Sequence, residues 1–281
     1  MLDFKVNKEK CIKCHQCVKE CPVEIIQMEK DFPFIPQSKE KNCIKCQHCL
    51  AVCPGEAISI LGFEPENSIE IDANFPDPEQ MELLIKGRRS TRRFKKENID
   101  KKEIIELINA ASYAPTGCNA MNVHFTIIDE YKKMEKFKEV AYDKLRIVIT
   151  ENKLSDGSEF FPEIMKRWDN EKVDGIFRDA PHMVVASCPE NCVTPLDDCI
   201  IALTNFEMLA NCMGLGTLWV GLAKWLIDYL VPELREVLDI PKDHIFGYAL
   251  LFGKPAVKFY RTVQRKPKSI TFCRILPSLF R

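Results

Sequence analysis

The sequence predicts an α+β protein with two domains, a small cysteine-rich domain followed by a larger domain in which helices surround a sheet. Near the start, a motif with four cysteines occurs twice at an offset of 32 residues. A stretch with proline and acidic residues then intervenes, and beyond it helical apolar stripes alternate with strand-like runs. We expect a first domain at 1–62, a linker at 63–79 and a second domain at 80–281.

Composition narrows the range of functions. The chain has 281 residues, and its 40 basic and 41 acidic residues give a net charge of −1, so no global field attracts nucleic acid or anionic lipid. No apolar run reaches the ~18 residues that cross a bilayer, and the charged start lacks the hydrophobic stretch of a signal peptide. We expect a cytoplasmic protein whose 14 cysteines are reduced.

The two cysteine motifs share the spacing Cys-x2-Cys-x2-Cys-x3-Cys-Pro and begin at Cys11 and Cys43. This spacing is typical of [4Fe–4S] sites in which three nearby thiolates bind one cluster and the remote fourth binds the other. Residues 1–62 thus resemble bacterial two-cluster ferredoxins. We assign one cluster to Cys11, Cys14, Cys17 and Cys53, and the other to Cys43, Cys46, Cys49 and Cys21. The alternative is a pair of zinc sites, which usually combine two Cys-x2-Cys knuckles.

The larger domain shows local signals for helices and strands. Asp77 before Pro78, and Asp100 with Glu103, predict the starts of two helices, and the apolar stripe at 196–213 predicts a long central one. The sequence predicts strands at Val123–Asp129, His182–Cys188, Thr217–Leu222 and Phe246–Phe252.

Basic residues cluster just after the first of these helices, in the segment Arg88-Arg89-Ser90-Thr91-Arg92-Arg93-Phe94. Arginine presents a planar fork that matches phosphate oxygens, and a hydroxyl group adds a neutral hydrogen bond. The segment therefore suits a phosphomonoester. Read alone, it is equally compatible with a solvated surface or a partner-docking patch.

Later stretches accompany this segment in a fixed order: Ala114-Pro115-Thr116-Gly117-Cys118-Asn119 with Val123-His124-Phe125, Gly214–Gly221, and Gly253-Lys254-Pro255 with Arg265-Lys266-Pro267. Together they resemble the nitroreductase family of FMN enzymes over about residues 80–270. Joined to the cysteine motifs, the chain resembles ferredoxin–nitroreductase fusions of anaerobes. The resemblance implies helices around an antiparallel-rich sheet and a homodimer with FMN at the subunit interface.

The resemblance also implies which residues bind FMN. By this resemblance, the phosphate and ribityl chain are bound by Arg88, Arg89, Ser90 and Arg92, and Asn119 forms a hydrogen bond with the flavin. The flavin ring lies along the backbone of Val220, Gly221 and Leu222. The basic pair Arg265 and Lys266 returns to the phosphate. For Asn119 a turn role, and for the basic pair a solvated tail, remain alternatives. Where many relatives have Ser-Gln-Pro-Trp after the asparagine, this chain has Ala120-Met121-Asn122-Val123, so the glutamine contact is missing or replaced.

Three further features have two interpretations each. Trp219 either packs in the core or lines the flavin pocket, and the segment 151–179, with Phe160, Phe161 and Trp168, either covers the flavin or belongs to the core. The six cysteines outside the motifs fit no third cluster, so we expect buried or free thiols at Cys118, Cys188, Cys192, Cys199, Cys212 and Cys273.

No Ser/His/Asp or paired-carboxylate arrangement is evident, so we assign the hydride chemistry to FMN and none to a catalytic side chain. The resemblance suggests nitroaromatic or quinone acceptors. Alternatives are reductive dehalogenation, or a non-catalytic adaptor that relays electrons to a redox partner. Since no Gly-x-Gly-x-x-Gly fingerprint follows a strand, NAD(P)H would bind only transiently, which favours ferredoxin or a similar protein as donor.

Overall fold

The computed structural model describes residues 2–71 and 75–273. Its N-terminal part contains two small antiparallel sheets. Strand β1 (Lys5–Val6) pairs with β4 (Ile58–Ser59), and β2 (Gln27–Glu29) pairs with β3 (Phe32–Phe34). Because β1 and β4 lie at opposite ends of this segment, their pairing closes residues 2–63 into a unit around its own apolar core.

Each cysteine motif in this unit contains one short helix, α1 (Gln16–Lys19) or α2 (His48–Ala51). The loops before the helices have the same backbone conformation, with φ of 58° at both Lys13 and Lys45. This positive φ, rare outside glycine, bends each loop tightly after its first cysteine. The sequence repeat is therefore also a structural repeat.

The C-terminal part is built on a four-stranded antiparallel sheet in the order β5-β6-β8-β7. These strands are β5 (His124–Ile128), β6 (His182–Pro189), β7 (Gly216–Trp219) and β8 (His244–Gly253). Strands β6 and β8 are central and almost wholly buried, as expected for strands covered on both faces. The predicted α+β class with an antiparallel-rich sheet is confirmed.

Helices cover both faces of this sheet. In order they are α3 (Pro78–Gly87), α4 (Lys101–Ala111), α5 (Tyr131–Thr150), α6 (Phe161–Glu171), α7 (Pro195–Cys212), α8 (Gly221–Trp225) and α9 (Leu234–Val237), with a π-helical turn at Leu226–Leu230. Helices α4 and α7 pack on one core, and α5 and α6 contribute to the other. No helix of the described residues is both long and apolar enough to cross a membrane.

The predicted strand Thr217–Leu222 is wrong at its C-terminal end. Strand β7 stops at Trp219, and α8 begins at Gly221. The backbone leaves the strand at Val220, whose N–H still donates to the carbonyl of Ala249 before the chain turns into the helix. A continuous apolar run does not distinguish a strand from a buried helical turn.

The aromatic residues of 151–179 belong mainly to the core. Phe161 is fully buried, and Trp168 stacks on Tyr142 of α5 with ring centroids 4.1 Å apart. Phe160 remains partly exposed. The core interpretation therefore fits this segment better than a cover over the flavin.

Candidate functional site

Two cavities in the N-terminal unit are each lined by four cysteines. The first cavity is lined by Cys11, Cys14, Cys17 and Cys53, together with apolar side chains that include Met28 and Ile58. The second is lined by Cys21, Cys43, Cys46 and Cys49, with Ile25 and Ile60 among its walls. Each cavity thus combines three cysteines of one motif with the last cysteine of the other, which is the crossed arrangement that the spacing predicts.

The two cavities are nearly equal in size, with empty volumes of about 330 and 310 Å³. Backbone N–H groups point at their sulfur atoms: Lys45 N–H donates to Cys43 Sγ and Ala57 N–H to Cys53 Sγ. Such bonds favour thiolates over thiols. Equal cavities of this composition fit two copies of the same thiolate-bound group.

The innermost thiols would not ionise by themselves. Burial, together with repulsion from the neighbouring Cys53, Cys14 and Cys11, raises the pKa of Cys17 to about 11. Burial, together with repulsion from Cys46, Cys43 and Cys21, likewise raises the pKa of Cys49 to about 12. Four thiolates can share such a cavity only when bound cations offset their charge, as the iron of a cluster does.

The arrangement of the thiols favours a cluster over a zinc ion. The four thiols of each set surround a cavity of about 330 or 310 Å³. A cube of iron and sulfide needs this wider arrangement, whereas tetrahedral zinc needs four sulfur atoms about 2.3 Å from one point.

The arginine segment is attached to the edge of the sheet. After α3 ends at Gly87, Ser90 forms a parallel bridge with Thr217, and Thr91 N–H donates to the carbonyl of Thr217 at 2.8 Å. Gly216 allows this close approach, because a Cβ there would lie 2.5 Å from the Thr91 hydroxyl oxygen. The backbone of residues 88–91 is therefore held against β7.

Three arginines gather at this edge. Burial lowers the pKa of Arg89, and the positive charges of Arg265 and Arg88 lower it further. The Arg89 Nε is buried and has no hydrogen-bond partner. Clustered cations with an unsatisfied donor are what a phosphate dianion would neutralise. Arg265, predicted from the C-terminal pair, thus lies close to the first motif. Arg265, Arg92 and Lys266 are all exposed.

One residue at this site escaped the sequence analysis. Glu207, in the buried part of α7, accepts hydrogen bonds from the Thr217 hydroxyl at 2.9 Å and from the Trp219 indole N–H at 2.9 Å. Its Oε1 also lies 3.3 Å from a guanidinium nitrogen of Arg88. Glu207 therefore orients an arginine of the cluster and joins it to the end of β7. Nothing in the local sequence marks it, because its partners come from other elements.

The predicted ring-binding stretch begins where β7 ends. Val220 is buried, Leu222 is half-buried and Gly221 is exposed at the start of α8. A Cβ at Gly221 would lie 3.1 Å from the Tyr248 hydroxyl, and Trp219 meets Tyr248 edge-on at 5.2 Å between ring centroids. Trp219 therefore packs against the core, while its indole N–H is tied to the arginine site through Glu207.

Asn119 lies in a separate, tightly constrained turn. The 3-10 turn at Gly117–Asn119 has positive φ at Cys118 and at Asn119, 54° and 55°. Gly117 N–H donates to the carboxylate of Asp198 at 3.0 Å, which fixes the turn to the start of α7. The Asn119 side chain then donates to the carbonyl of Ile44, in the N-terminal unit, at 2.9 Å. Among the described residues it makes no hydrogen bond to the arginines.

The six remaining cysteines are free thiols. Cys188 and Cys199 are buried, Cys192 is half-buried, and Cys118, Cys212 and Cys273 are exposed. Burial, and contact between Cys188 and Cys192, raise the pKa of Cys188 to about 12. These positions are consistent with the expectation of buried or free thiols.

Comparison with protein families identifies both parts of the chain. The model of the nitroreductase family matches residues 85–254, and that of the 4Fe-4S dicluster domain matches residues 10–80. One curated relative, from Methanothermobacter thermautotrophicus, is named as a candidate NADH dehydrogenase/NAD(P)H nitroreductase. It is 22% identical over 67% of this chain and 84% of its own. An iodotyrosine deiodinase from Thermotoga neapolitana is 23% identical over 61% and 87%.

Solved structures share the fold of the C-terminal part. A nitroreductase with bound FMN from Bacteroides fragilis superposes with a TM-score of 0.56 and 21% identity, covering 69% of this chain and 99% of its own. An FMN-dependent nitroreductase from Clostridium difficile gives a TM-score of 0.52 at 21% identity, covering 70% and 100%. At this identity the likeness concerns the fold.

Proposed function

Because the chain belongs to the nitroreductase family and carries a 4Fe-4S dicluster domain before it, we propose that this flavin oxidoreductase exchanges electrons between two [4Fe–4S] clusters, FMN and a nitroaromatic or quinone acceptor. One observation carries the proposal most directly. A single chain combines two crossed four-cysteine cavities with a cluster of arginines that lacks a sufficient counter-charge. The first arrangement suits one-electron carriers, and the second suits a flavin phosphate.

The residues present fit FMN. Arg88, Arg89 and Arg265 would hold the phosphate, because they lie close together and the buried Arg89 Nε has no hydrogen-bond acceptor. The hydroxyl of Ser90, held against β7, would add a neutral hydrogen bond. We further propose that Arg92 and Lys266 contribute from the exposed rim, and that Val220, Gly221 and Leu222 lie along the ring.

Bound FMN would supply chemistry in one- or two-electron steps, which is why it can connect one-electron clusters with two-electron substrates. The chain's own residues position it. Glu207 accepts a hydrogen bond from Arg88, and Gly221 carries no side chain that would crowd the Tyr248 hydroxyl. No side chain of this region needs to act as acid or base, since solvent can deliver protons to an exposed acceptor.

We also propose a homodimer. Apolar side chains lie exposed on one helix near the arginine site and on the central helix, namely Met81, Leu83 and Ile85 of α3 and Leu196, Ile200 and Ile201 of α7. Exposed apolar side chains in such numbers favour burial against another surface. A second copy, as the family resemblance implies, would provide that surface.

The relationship to an iodotyrosine deiodinase supports a second candidate activity, reductive dehalogenation. The described residues that would hold FMN are the same for both reactions. A screen of the holoprotein with nitroaromatic, quinone and halogenated aromatic acceptors therefore separates them by the product formed. If no acceptor reacts while the protein forms a stable complex with a redox protein, the adaptor role replaces both.

The donor is tested by anaerobic stopped-flow reduction of the holoprotein with NADH, NADPH or reduced ferredoxin. The flavin band and the broad cluster absorbance are followed separately. We expect reduced ferredoxin to reduce the clusters before the flavin, since no dinucleotide fingerprint is present. If a nicotinamide bleaches the flavin first, hydride enters at the flavin and this assignment of the donor is wrong.

A further inference from the structure

The two parts of the chain are joined at a residue between two cluster cysteines. The side-chain amide of Asn119 donates to the main-chain carbonyl of Ile44 at 2.9 Å. Ile44 follows Cys43 directly and precedes Cys46 by two positions, and all three line the second cavity. The flavin domain thus touches the loop that wraps the second cluster site, one peptide unit from a ligand.

The internal repeat shows that this contact is specific to one copy. Ile12 occupies in the first motif the position that Ile44 occupies in the second, and both follow the first cysteine of their motif. Ile12 is 67% exposed. Ile44 is half-buried, although the two loops have the same backbone conformation. The first cluster loop therefore faces solvent, and the second faces the flavin domain.

The turn that carries Asn119 is built to hold its side chain in place. Asn119 N–H donates to the carbonyl of Thr116, and Gly117 N–H is anchored on Asp198, which is only 2% exposed. Gly117 is required here, because a Cβ would lie 2.4 Å from the Thr194 hydroxyl. Asparagine tolerates the left-handed backbone at 119 better than most residues. The amide is thus presented in a fixed direction.

We propose that Asn119 is a positioning residue that seats the Cys43–Cys46 loop on the flavin domain, so that only the second cluster exchanges electrons directly with the flavin. This inference rests on the proposed function. One electron passes per transfer, and two transfers with two protons from water reduce one flavin fully. An external one-electron carrier protein supplies new electrons to the first, solvent-facing cluster, and these electrons then pass to the second cluster.

This role is compatible with the predicted flavin bond. The side-chain amide of asparagine has a donor, Nδ2, and an acceptor, Oδ1, and only Nδ2 donates to the carbonyl of Ile44. Oδ1 remains an acceptor suited to a flavin N–H. Asn119 would then bridge the flavin and the cluster loop.

The contact is tested by hydrogen exchange on the holoprotein carrying Asn119→Asp. Aspartate keeps the size and tolerates the same backbone, but it replaces the donor with a carboxylate that repels the carbonyl of Ile44. We expect amide exchange at residues 43–48 to rise about fivefold, the effect of losing one hydrogen bond, while residues 11–16 stay unchanged. The control Asn122→Asp alters a nearby asparagine whose amide contacts Cys192 instead.

The electron route is tested in the same variants. Holoprotein reduced with dithionite is mixed anaerobically with 4-nitrobenzoate, and reoxidation of clusters and flavin is followed separately. We expect all cluster absorbance to recover more slowly in Asn119→Asp than in Asn122→Asp, because the new carboxylate repels the carbonyl of Ile44 and moves the second cluster away from the flavin domain. The rate of flavin reoxidation is measured in the same traces, and the cluster rate of each variant is compared with it.

Two results would overturn the proposal: exchange at residues 43–48 equal to wild type, or half of the cluster absorbance recovering at the wild-type rate. The second result would mean that the first cluster reaches the flavin by itself. Failure of the proposed function looks different, since a protein without flavin or acceptor turnover would still show the exchange difference. Flavin content, measured before mixing, separates loss of FMN from loss of the contact.

Discussion

A single buried carboxylate links the parts of the arginine site. Glu207 accepts from Thr217 and Trp219 and lies beside Arg88, so it connects α7, β7 and the segment after α3. A buried carboxylate is tolerated only when its oxygens are satisfied in this way. Its negative charge also offsets one of the three clustered arginines, which leaves the site positive enough for an anion.

Replacing Glu207 tests this role. In Glu207→Gln the amide keeps an acceptor but loses the charge facing Arg88, so we expect the free energy of unfolding to fall by about 2 kcal/mol, the scale of a charged hydrogen bond. Urea unfolding of the holoprotein measures the change. The matched control is Glu106→Gln on α4, an exposed position that should change stability by less than about 0.5 kcal/mol. Equal losses of unfolding free energy in the two variants would show that Glu207 does not support the arginine site.

Residues differ in how far the sequence predicts their roles. The grouping of the eight motif cysteines around two cavities was predictable, because the spacing that determines it lies within each motif. Glu207 and Asp198 were not predictable, because Glu207 lies 119 positions from Arg88 and Asp198 lies 81 positions from Gly117. In the sequence of α7, Glu207 and Asp198 are polar residues that interrupt an apolar stripe, and their partners become evident only from the fold.

Helices also differ in how far the local sequence predicts them. The starts of α3 and α4 followed from caps within a few residues: Asp77 accepts from Glu79 N–H and Gln80 N–H, and Asp100 forms a capping box with Glu103. Helix α5 carried no such signal. Its buried face includes Lys138, which is 1% exposed and is paired with Glu135, Asp174 and Asp179, so charged residues mask its apolar stripe.

A buried histidine connects two elements of the larger domain. His182 begins β6, is fully buried and accepts a hydrogen bond at Nε2 from Ile99 N–H, just before α4. Burial lowers the pKa of His182 to about 4. The folded state therefore keeps this imidazole neutral at pH values where the unfolded chain, with a pKa near 6.5, already binds a proton.

The stability of the domain should depend on pH through this residue. Because the folded pKa is below the unfolded one, the contribution of His182 is complete above about pH 6.5 and is lost as the pH falls toward 4. From pH 6.5 to 5 we expect a loss of about 1.6 kcal/mol, because the full slope of about 1.4 kcal/mol per pH unit is reached only once the unfolded histidine is mostly protonated. Urea unfolding of wild type and His182→Gln at both values measures it. Other acid effects, including cluster loss, cancel in the difference, and parallel pH profiles would contradict the prediction.

At the scale of the whole molecule, a ferredoxin-type unit and a flavin fold meet within one chain. The interface includes the bond between Asn119 and Ile44, which are 75 positions apart. Both domains could be recognised from sequence, because each has its own motifs. Their orientation could not, since the repeat offers two equivalent loops and only the folded chain shows which one meets the flavin domain.

We propose that the clusters and the flavin form one connected electron store. Two one-electron clusters and one two-electron flavin hold about four electrons per chain. The most direct measurement is an anaerobic titration of the holoprotein with dithionite, followed by reoxidation with excess nitroaromatic acceptor. We predict that about four electrons enter and that all of them leave through the acceptor. If only the flavin is reoxidised and the clusters stay reduced, the two domains are not connected and the account is wrong.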